Sequence, residues 1–149
     1  MLELETVGSI AWLIPTLTFA AFVAIVGLVA LGGGGRAAGR IAVLAIAATA
    51  VLGVVMLVAA LGRGGEALSG APYYSTPITW AIFGSGSVTF GWMVDPLTVI
   101  MVAMVTFVCT MIFVYATGYM QPEFEAYRDP HTGEVDRAVG SARYARFFA

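Results

Sequence analysis

The chain has 149 residues and a net charge of −2; 60% of it is hydrophobic, only 11% is charged, and its mean hydropathy is +0.91. A soluble domain carries about 25% charged and about 45–50% apolar residues, so lipid is the solvent this composition suits. There is no lysine and no basic run, which excludes nucleic acid as a partner, and the single cysteine, Cys109, excludes an internal disulfide and a CxxC metal site.

Residues 1–7 form an outer amino terminus carrying Glu3 and Glu5. Residues 8–31 follow without an ionisable side chain and predict the first membrane helix. At about 1.5 Å per residue the run reaches roughly 36 Å, enough to cross a ~30 Å hydrocarbon core. A secretory signal would open on positive charge and carry a shorter apolar core. Trp12 suits the outer aromatic belt, and Pro15 belongs to the first turn or a mild kink.

Residues 32–40, Gly32-Gly33-Gly34-Gly35-Arg36-Ala37-Ala38-Gly39-Arg40, read as a cytoplasmic Gly/Arg loop. No strand precedes them and no GKS or GKT follows, so a tight turn is preferred over a phosphate loop. Residues 41–61 are the second membrane helix. Ala45, Thr49 and Gly53 recur every four residues and put small side chains on one face, the pattern that lets membrane helices pack.

Residues 62–94 are an outer loop, with Arg63, Glu66 and the turn-rich Ser69-Gly70-Ala71-Pro72. Within it, about 78–92, a β-hairpin is predicted: Ile78 to Phe83, a turn at Gly84-Ser85-Gly86-Ser87, then Val88, Phe90 and Trp92 alternating with Thr89 and Gly91. Trp80, Phe90 and Trp92 would face the membrane surface or another protein, and Trp80 and Trp92 would approach each other.

Asp95-Pro96 opens the third membrane helix, 96–118. Aspartate accepts from the free N–H groups of a first turn, and proline favours the first helical position; a cap is preferred over a proton carrier for Asp95. Thr98, Thr106, Thr110 and Thr117 are tolerated because their hydroxyls bond to the preceding turn. Residues 119–149 are a cytoplasmic tail leading to a truncated fourth helix that begins at Arg146-Phe147-Phe148-Ala149. Asp129-Pro130-His131-Thr132-Gly133 is turn chemistry, and His131 is a solvated side chain.

Arginine sets the orientation. Arg36, Arg40, Arg128, Arg137, Arg143 and Arg146 fall on one side and Arg63 alone on the other, so the positive-inside rule makes the carboxyl terminus cytoplasmic and the amino terminus external. The fold class is an all-α membrane protein with three transmembrane helices and a small extracytoplasmic β-hairpin between the second and third. Ion pathways are marked by Asp, Glu, Lys, Arg or His within spans, and none lies in these three. No catalytic, cofactor-binding or metal-ligating residue is therefore assigned.

Phe90-Gly91-Trp92-Met93-Val94-Asp95-Pro96-Leu97-Thr98, the Val114-Tyr115-Ala116-Thr117-Gly118-Tyr119-Met120 run and the closing Arg146-Phe147-Phe148-Ala149 resemble one family. They are similar to the N-terminal region of the antiporter-like subunit L of the proton-pumping NADH-quinone oxidoreductase, respiratory complex I (chain 5 in mitochondria). In that family a VDPL step opens the third helix, a GYM segment closes it, and RFFAY begins the fourth. The resemblance implies a scaffold role for Asp95, Pro96, Arg146, Phe147 and Phe148. It also implies a multi-pass place in a bacterial plasma (inner) membrane, and partnership with the lipid bilayer and other membrane-arm subunits. No cofactor is bound by this chain on that reading; NADH, flavin, iron–sulfur clusters and quinone belong to other subunits. Residues 128–142 look like an insertion relative to the family, and no position matches its proton-carrying glutamate and lysines. The large subunit of an Mrp-type Na+/H+ antiporter shares these features, and a stand-alone small membrane scaffold is a third reading.

Overall fold

The computed structural model describes residues 8–32, 34–62 and 74–149. The expectations for 1–7, Arg63, Glu66 and Ser69 to Pro72 fall outside them. The chain divides into two compact units, residues 1–12 with 52–104 and residues 13–51 with 105–149.

Helix α1 is Leu13–Ala30 and α2 is Gly35–Leu61. Pro15 stands in the first turn of α1, where its missing N–H breaks no helical bond, and the Thr18 hydroxyl donates to the Pro15 carbonyl at 2.9 Å. Only Ile25 of α1 is buried; Phe19 and its neighbours expose apolar surface, as suits a helix bathed in lipid.

The loop expected over 32–40 is shorter than that. Gly32 and Gly34 take positive φ (74° and 128°) and complete the reversal, after which Ala37 and Ala38 donate to the Gly34 carbonyl at 2.9 and 3.2 Å. Alanine and arginine are strong helix formers, so once the glycines have turned the chain the helix starts at Gly35 instead of residue 41. Arg36 and Arg40 consequently sit one above the other in its first turns.

On α2 the residues Ala42, Thr49, Gly53, Met56 and Ala60 are buried, with Ala45 half-buried. The small-residue face is thus an inward face. Thr49 satisfies its hydroxyl on Ile46 O at 2.7 Å.

Helix α3 is Pro96–Tyr119, with Val99, Ala103, Thr106 and Ala116 buried at helical spacing. Thr110 donates to Thr106 O at 2.8 Å, with Ile46 O of α2 a second acceptor at 3.4 Å. Together α1, α2 and the run from Pro96 give three helices long and apolar enough to cross a membrane.

Between α2 and α3 lie two antiparallel strand pairs, β1 (Tyr74–Ser75) with β4 (Met93–Val94) and β2 (Ile78–Phe83) with β3 (Gly86–Phe90). The hairpin is present, but with a tighter turn than predicted. Phe83 pairs with Gly86, leaving Gly84-Ser85 as a two-residue connection with Gly84 at φ 60°. A positive first position followed by a negative one is the type II′ pattern that matches strand twist. Ile78 pairs with Phe90, and the register shifts between Thr79 and Ala81, so Trp80 occupies a bulge. Trp92 does not meet Trp80, because it lies past the end of β3 and its carbonyl accepts from Thr76 N at 3.2 Å. Gly91 cannot carry a side chain there, since a Cβ would collide with the Thr76 carbonyl.

The tail folds as well. Helix α4 is Gln121–Ala126 and α5 is Arg137–Phe148. The segment 128–142, expected as one inserted loop, is in fact a short closed turn followed by helix. Asp136 N donates to Tyr127 O at 3.0 Å and Asp129 N to Glu134 O at 2.9 Å. The Asp136 carboxylate then caps α5 by accepting from Ala138 N and Val139 N at 2.9 and 3.1 Å. Helix therefore begins at Arg137, well before the Arg146 predicted to open it. Ile25, Ala38, Ala42, Ala116, Tyr144, Ala145 and Phe148 form one buried cluster.

Candidate functional site

In the unit that contains the strands, Asp95 terminates β4 and starts α3. Its Oδ1 accepts from Thr98 N at 2.7 Å and from the Thr98 hydroxyl at 2.6 Å, and Val94 and Val99 beside it are buried. The Thr98 hydroxyl, and after it the Thr98 N–H, hold this carboxyl below its ordinary value of 3.8. Both donors favour the ionised form, so the geometry is that of a fixed cap. Pro96 occupies the first helical position, where no N–H is needed.

In the other unit the α2 start, the α3 end, α4 and α5 converge. The Arg36 guanidinium pairs with the Glu125 carboxylate, lies over the Phe124 ring at 5.0 Å, and shares Glu125 with Gln121 Nε2 at 2.9 Å. Arg143 stands 4.7 Å from the Tyr127 ring centre and 3.7 Å from Glu123. Of the three residues singled out at the end of the chain, only Phe148 is buried. Its ring meets Tyr144 at 4.9 Å, Phe147 at 5.1 Å and Phe113 at 6.2 Å. Arg146 is exposed and Phe147 half-exposed. Burial pushes the Tyr144 phenol up.

Sequence reasoning missed the close approaches that build this unit. A Cβ on Gly140 would stand 2.6 Å from the Glu123 carbonyl, and one on Gly34 would stand 2.8 Å from the Ala145 Cβ. The one local signal was Asp136 followed by helix-forming residues, a cap pattern; the Arg36–Glu125 pair joins residues 89 apart in sequence and leaves no local trace.

Among the described residues no group of three His, Cys, Asp or Glu gathers as metal ligands. His131 is exposed, with its backbone N–H donating to Asp129 at 2.7 Å, and Cys109 is a half-buried free thiol. Leu13–Ala30, Ile41–Leu61 and Pro96–Tyr119 contain no Asp, Glu, Lys, Arg or His.

Residues 80–131 match the family model described as NADH-ubiquinone oxidoreductase (complex I), chain 5 N-terminus. The chain resembles the start of complex I chain 5. The matched stretch takes in most of the hairpin, the Asp95-Pro96 step, α3 and α4, and it stops before α5. The chain is 32% identical over 117 residues to the chloroplastic NAD(P)H-quinone oxidoreductase subunit 5 of Cryptomeria japonica, covering 78% of this chain and 16% of that protein. It is 31% identical over 122 residues to NAD(P)H-quinone oxidoreductase chain 5 of Synechocystis sp., covering 78% and 17%. The chloroplastic subunit 5 of Mesostigma viride is 30% identical over 122 residues, covering 78% and 18%. The chain thus spans less than a fifth of these relatives' length. No solved structure matches it.

Proposed function

We propose that the chain supplies the first three membrane helices of an antiporter-like subunit in the membrane arm of a proton-translocating NADH-quinone oxidoreductase, as scaffold and without pumping residues of its own. The observation that carries this is the pairing of a chain 5 N-terminal match over 80–131 with three spans whose apolar lengths, Leu13–Ala30, Ile41–Leu61 and Pro96–Tyr119, hold no Asp, Glu, Lys, Arg or His. A proton crossing hydrocarbon needs titratable groups or ordered water, because a bare charge at the bilayer centre costs at least ~2.5–3.5 kcal/mol. These helices offer hydroxyls, a thiol and apolar surface.

Their work on this reading is packing, lipid contact and placement of the helices that do pump. Asp95 and Pro96 set the start of α3, and Phe148 anchors α5. The membrane on this reading is a bacterial plasma (inner) membrane, and the arginine asymmetry supports an amino terminus outside and a carboxyl terminus in the cytoplasm. The redox groups lie in partner subunits; the single Cys109 is far from the four thiolates an iron–sulfur cluster takes.

Affinity purification of the tagged chain from membranes of its host tests the reading. Recovery together with other membrane-arm subunits of the quinone oxidoreductase is the expected result. Recovery with small antiporter subunits instead, or of the chain alone, would overturn it.

A further inference from the structure

Between the start of α2 and the end of α3 lies a cleft of about 580 Å³, closed on one flank by Tyr144. Its volume falls in the range of small-ligand sites, about 300–1,000 Å³. The lining changes character along its length. One end presents Arg36 and Arg40; one helical turn further on, the same face presents Val43 and Leu44, opposite Val114 of α3. Leu44 and Val114 are themselves widely exposed, so this apolar end opens directly onto the lipid-facing surface. The two cations are not equivalent. Arg36 is neutralised by Glu125, whereas Arg40 has neither a carboxylate nor a hydrogen-bond partner among the described residues. Among the described residues, no acidic one lines the cleft.

From this arrangement we infer that the cleft binds one anionic phospholipid, its phosphate held by Arg40 with Arg36 behind it and an acyl chain laid along Val43, Leu44 and Val114. A charge-seeking end and an apolar trough in one cleft complement an amphipathic anion. An inorganic anion would satisfy Arg40 and leave the trough empty. Basic pockets between membrane helices near the cytoplasmic surface suit acidic headgroups for the same reason. The inference rests on the cytoplasmic placement of Arg36 and Arg40 in the reading above, but the cleft's chemistry is independent of the complex it joins.

The purified chain, in micelles with equal amounts of phosphatidylglycerol and phosphatidylcholine of the same acyl chains, is to be examined by native mass spectrometry. Phosphatidylglycerol adducts should exceed phosphatidylcholine adducts by about fivefold, the factor matching ~1 kcal/mol for one arginine at an anionic surface. Arg40→Gln should bring the ratio close to one, Arg40→Lys should keep most of it, and Arg128→Gln, an equal loss of charge outside the cleft, should leave it unchanged. Helical circular dichroism should be the same in all four proteins. Equal retention of the two lipids by the unaltered chain would overturn the inference, and so would an equal effect of Arg128→Gln. Displacement of phosphatidylglycerol by added inorganic phosphate would do the same, since it marks a free-anion site. A chain that fails to co-purify with membrane-arm subunits yet keeps the lipid preference refutes the assembly alone.

Discussion

The phenol oxygen of Tyr144 lies 2.5 Å from the place a Cβ on Gly39 would occupy, with Cε1 and Cζ of the same ring at 3.1 and 3.2 Å. Phe124 and Phe148 flank the ring at 5.5 and 4.9 Å, so moving it away from α2 disturbs both contacts. Gly39→Ala should therefore loosen α5 from α2 at a cost of about 1–3 kcal/mol, as overpacking does elsewhere. Adding Tyr144→Phe removes the worst contact and should recover part of that loss. Thermal unfolding followed by circular dichroism in detergent measures both; a Gly39→Ala protein as stable as the original would show that the packing is looser than described.

Disulfide trapping checks the hairpin register. Cysteines at Ile78 and Phe90 in a Cys109→Ala background are directly paired and should crosslink readily. Cysteines at Trp80 and Trp92 should not. Gly91→Ala should weaken trapping at the first pair, since the Thr76 carbonyl occupies the space its methyl needs. Efficient trapping at Trp80 and Trp92 would mean a different register.

Orientation is open to a labelling experiment. Single cysteines at Ser69 and at Thr132, again with Cys109→Ala, should react with an impermeant reagent from opposite sides of the membrane, Ser69 from outside. Labelling of both from outside intact cells would contradict the three-span topology.

The cap at Asp95 has a pH signature. Its carboxyl sits below 3.8 in the folded chain, so the stabilisation it gives is complete above the unfolded value and fades as pH falls through the lower, folded one. Stability should be insensitive to this group from about pH 5 upward, and Thr98→Val should move the acid limb of the unfolding curve to higher pH. Reconstituted in vesicles, the chain and its Asp95→Asn variant should both leave an imposed pH gradient at the empty-vesicle leak. A specific proton flux lost in Asp95→Asn would make Asp95 a transport residue.

What could be read from residues alone was what lipid and short-range geometry dictate. Charge-free runs disclosed the three helices, because ionised side chains are excluded from hydrocarbon whatever the tertiary fold. The alternation of Val88 and Phe90 with Thr89 disclosed β3, although it carried the strand two residues too far, to Trp92, and Asp95-Pro96 disclosed a helix start. The turn at Gly84-Ser85 was narrower than its glycines and serines suggested, because only one positive φ is needed there. Arg36 and Arg40 concealed the true start of α2. Following a run of four glycines, their charge suggests a loop, yet arginine is a good helix former and its long stem carries the charge away from the axis. The α5 unit was the least legible. Its contacts rest on the absence of side chains at Gly34, Gly39 and Gly140, and nothing in the sequence names the residues that fill those gaps.

The reversal at Gly32 and Gly34 has a bearing on biosynthesis. From Ala30 to Gly35 an extended chain reaches at most about 17 Å, so the facing ends of α1 and α2 stay within about two helix diameters of each other once both are in lipid. The two helices enter lipid as a pair joined by the bend at Gly32 and Gly34, and on the proposed topology both arginines of the second helix stay on the side of synthesis while the apolar lengths go across. An L-residue at Gly34, where φ is 128°, would resist that bend before any tertiary contact exists to reward it. Its first effect would then be a lower yield of correctly inserted chain, ahead of any loss of stability in the molecules that do insert.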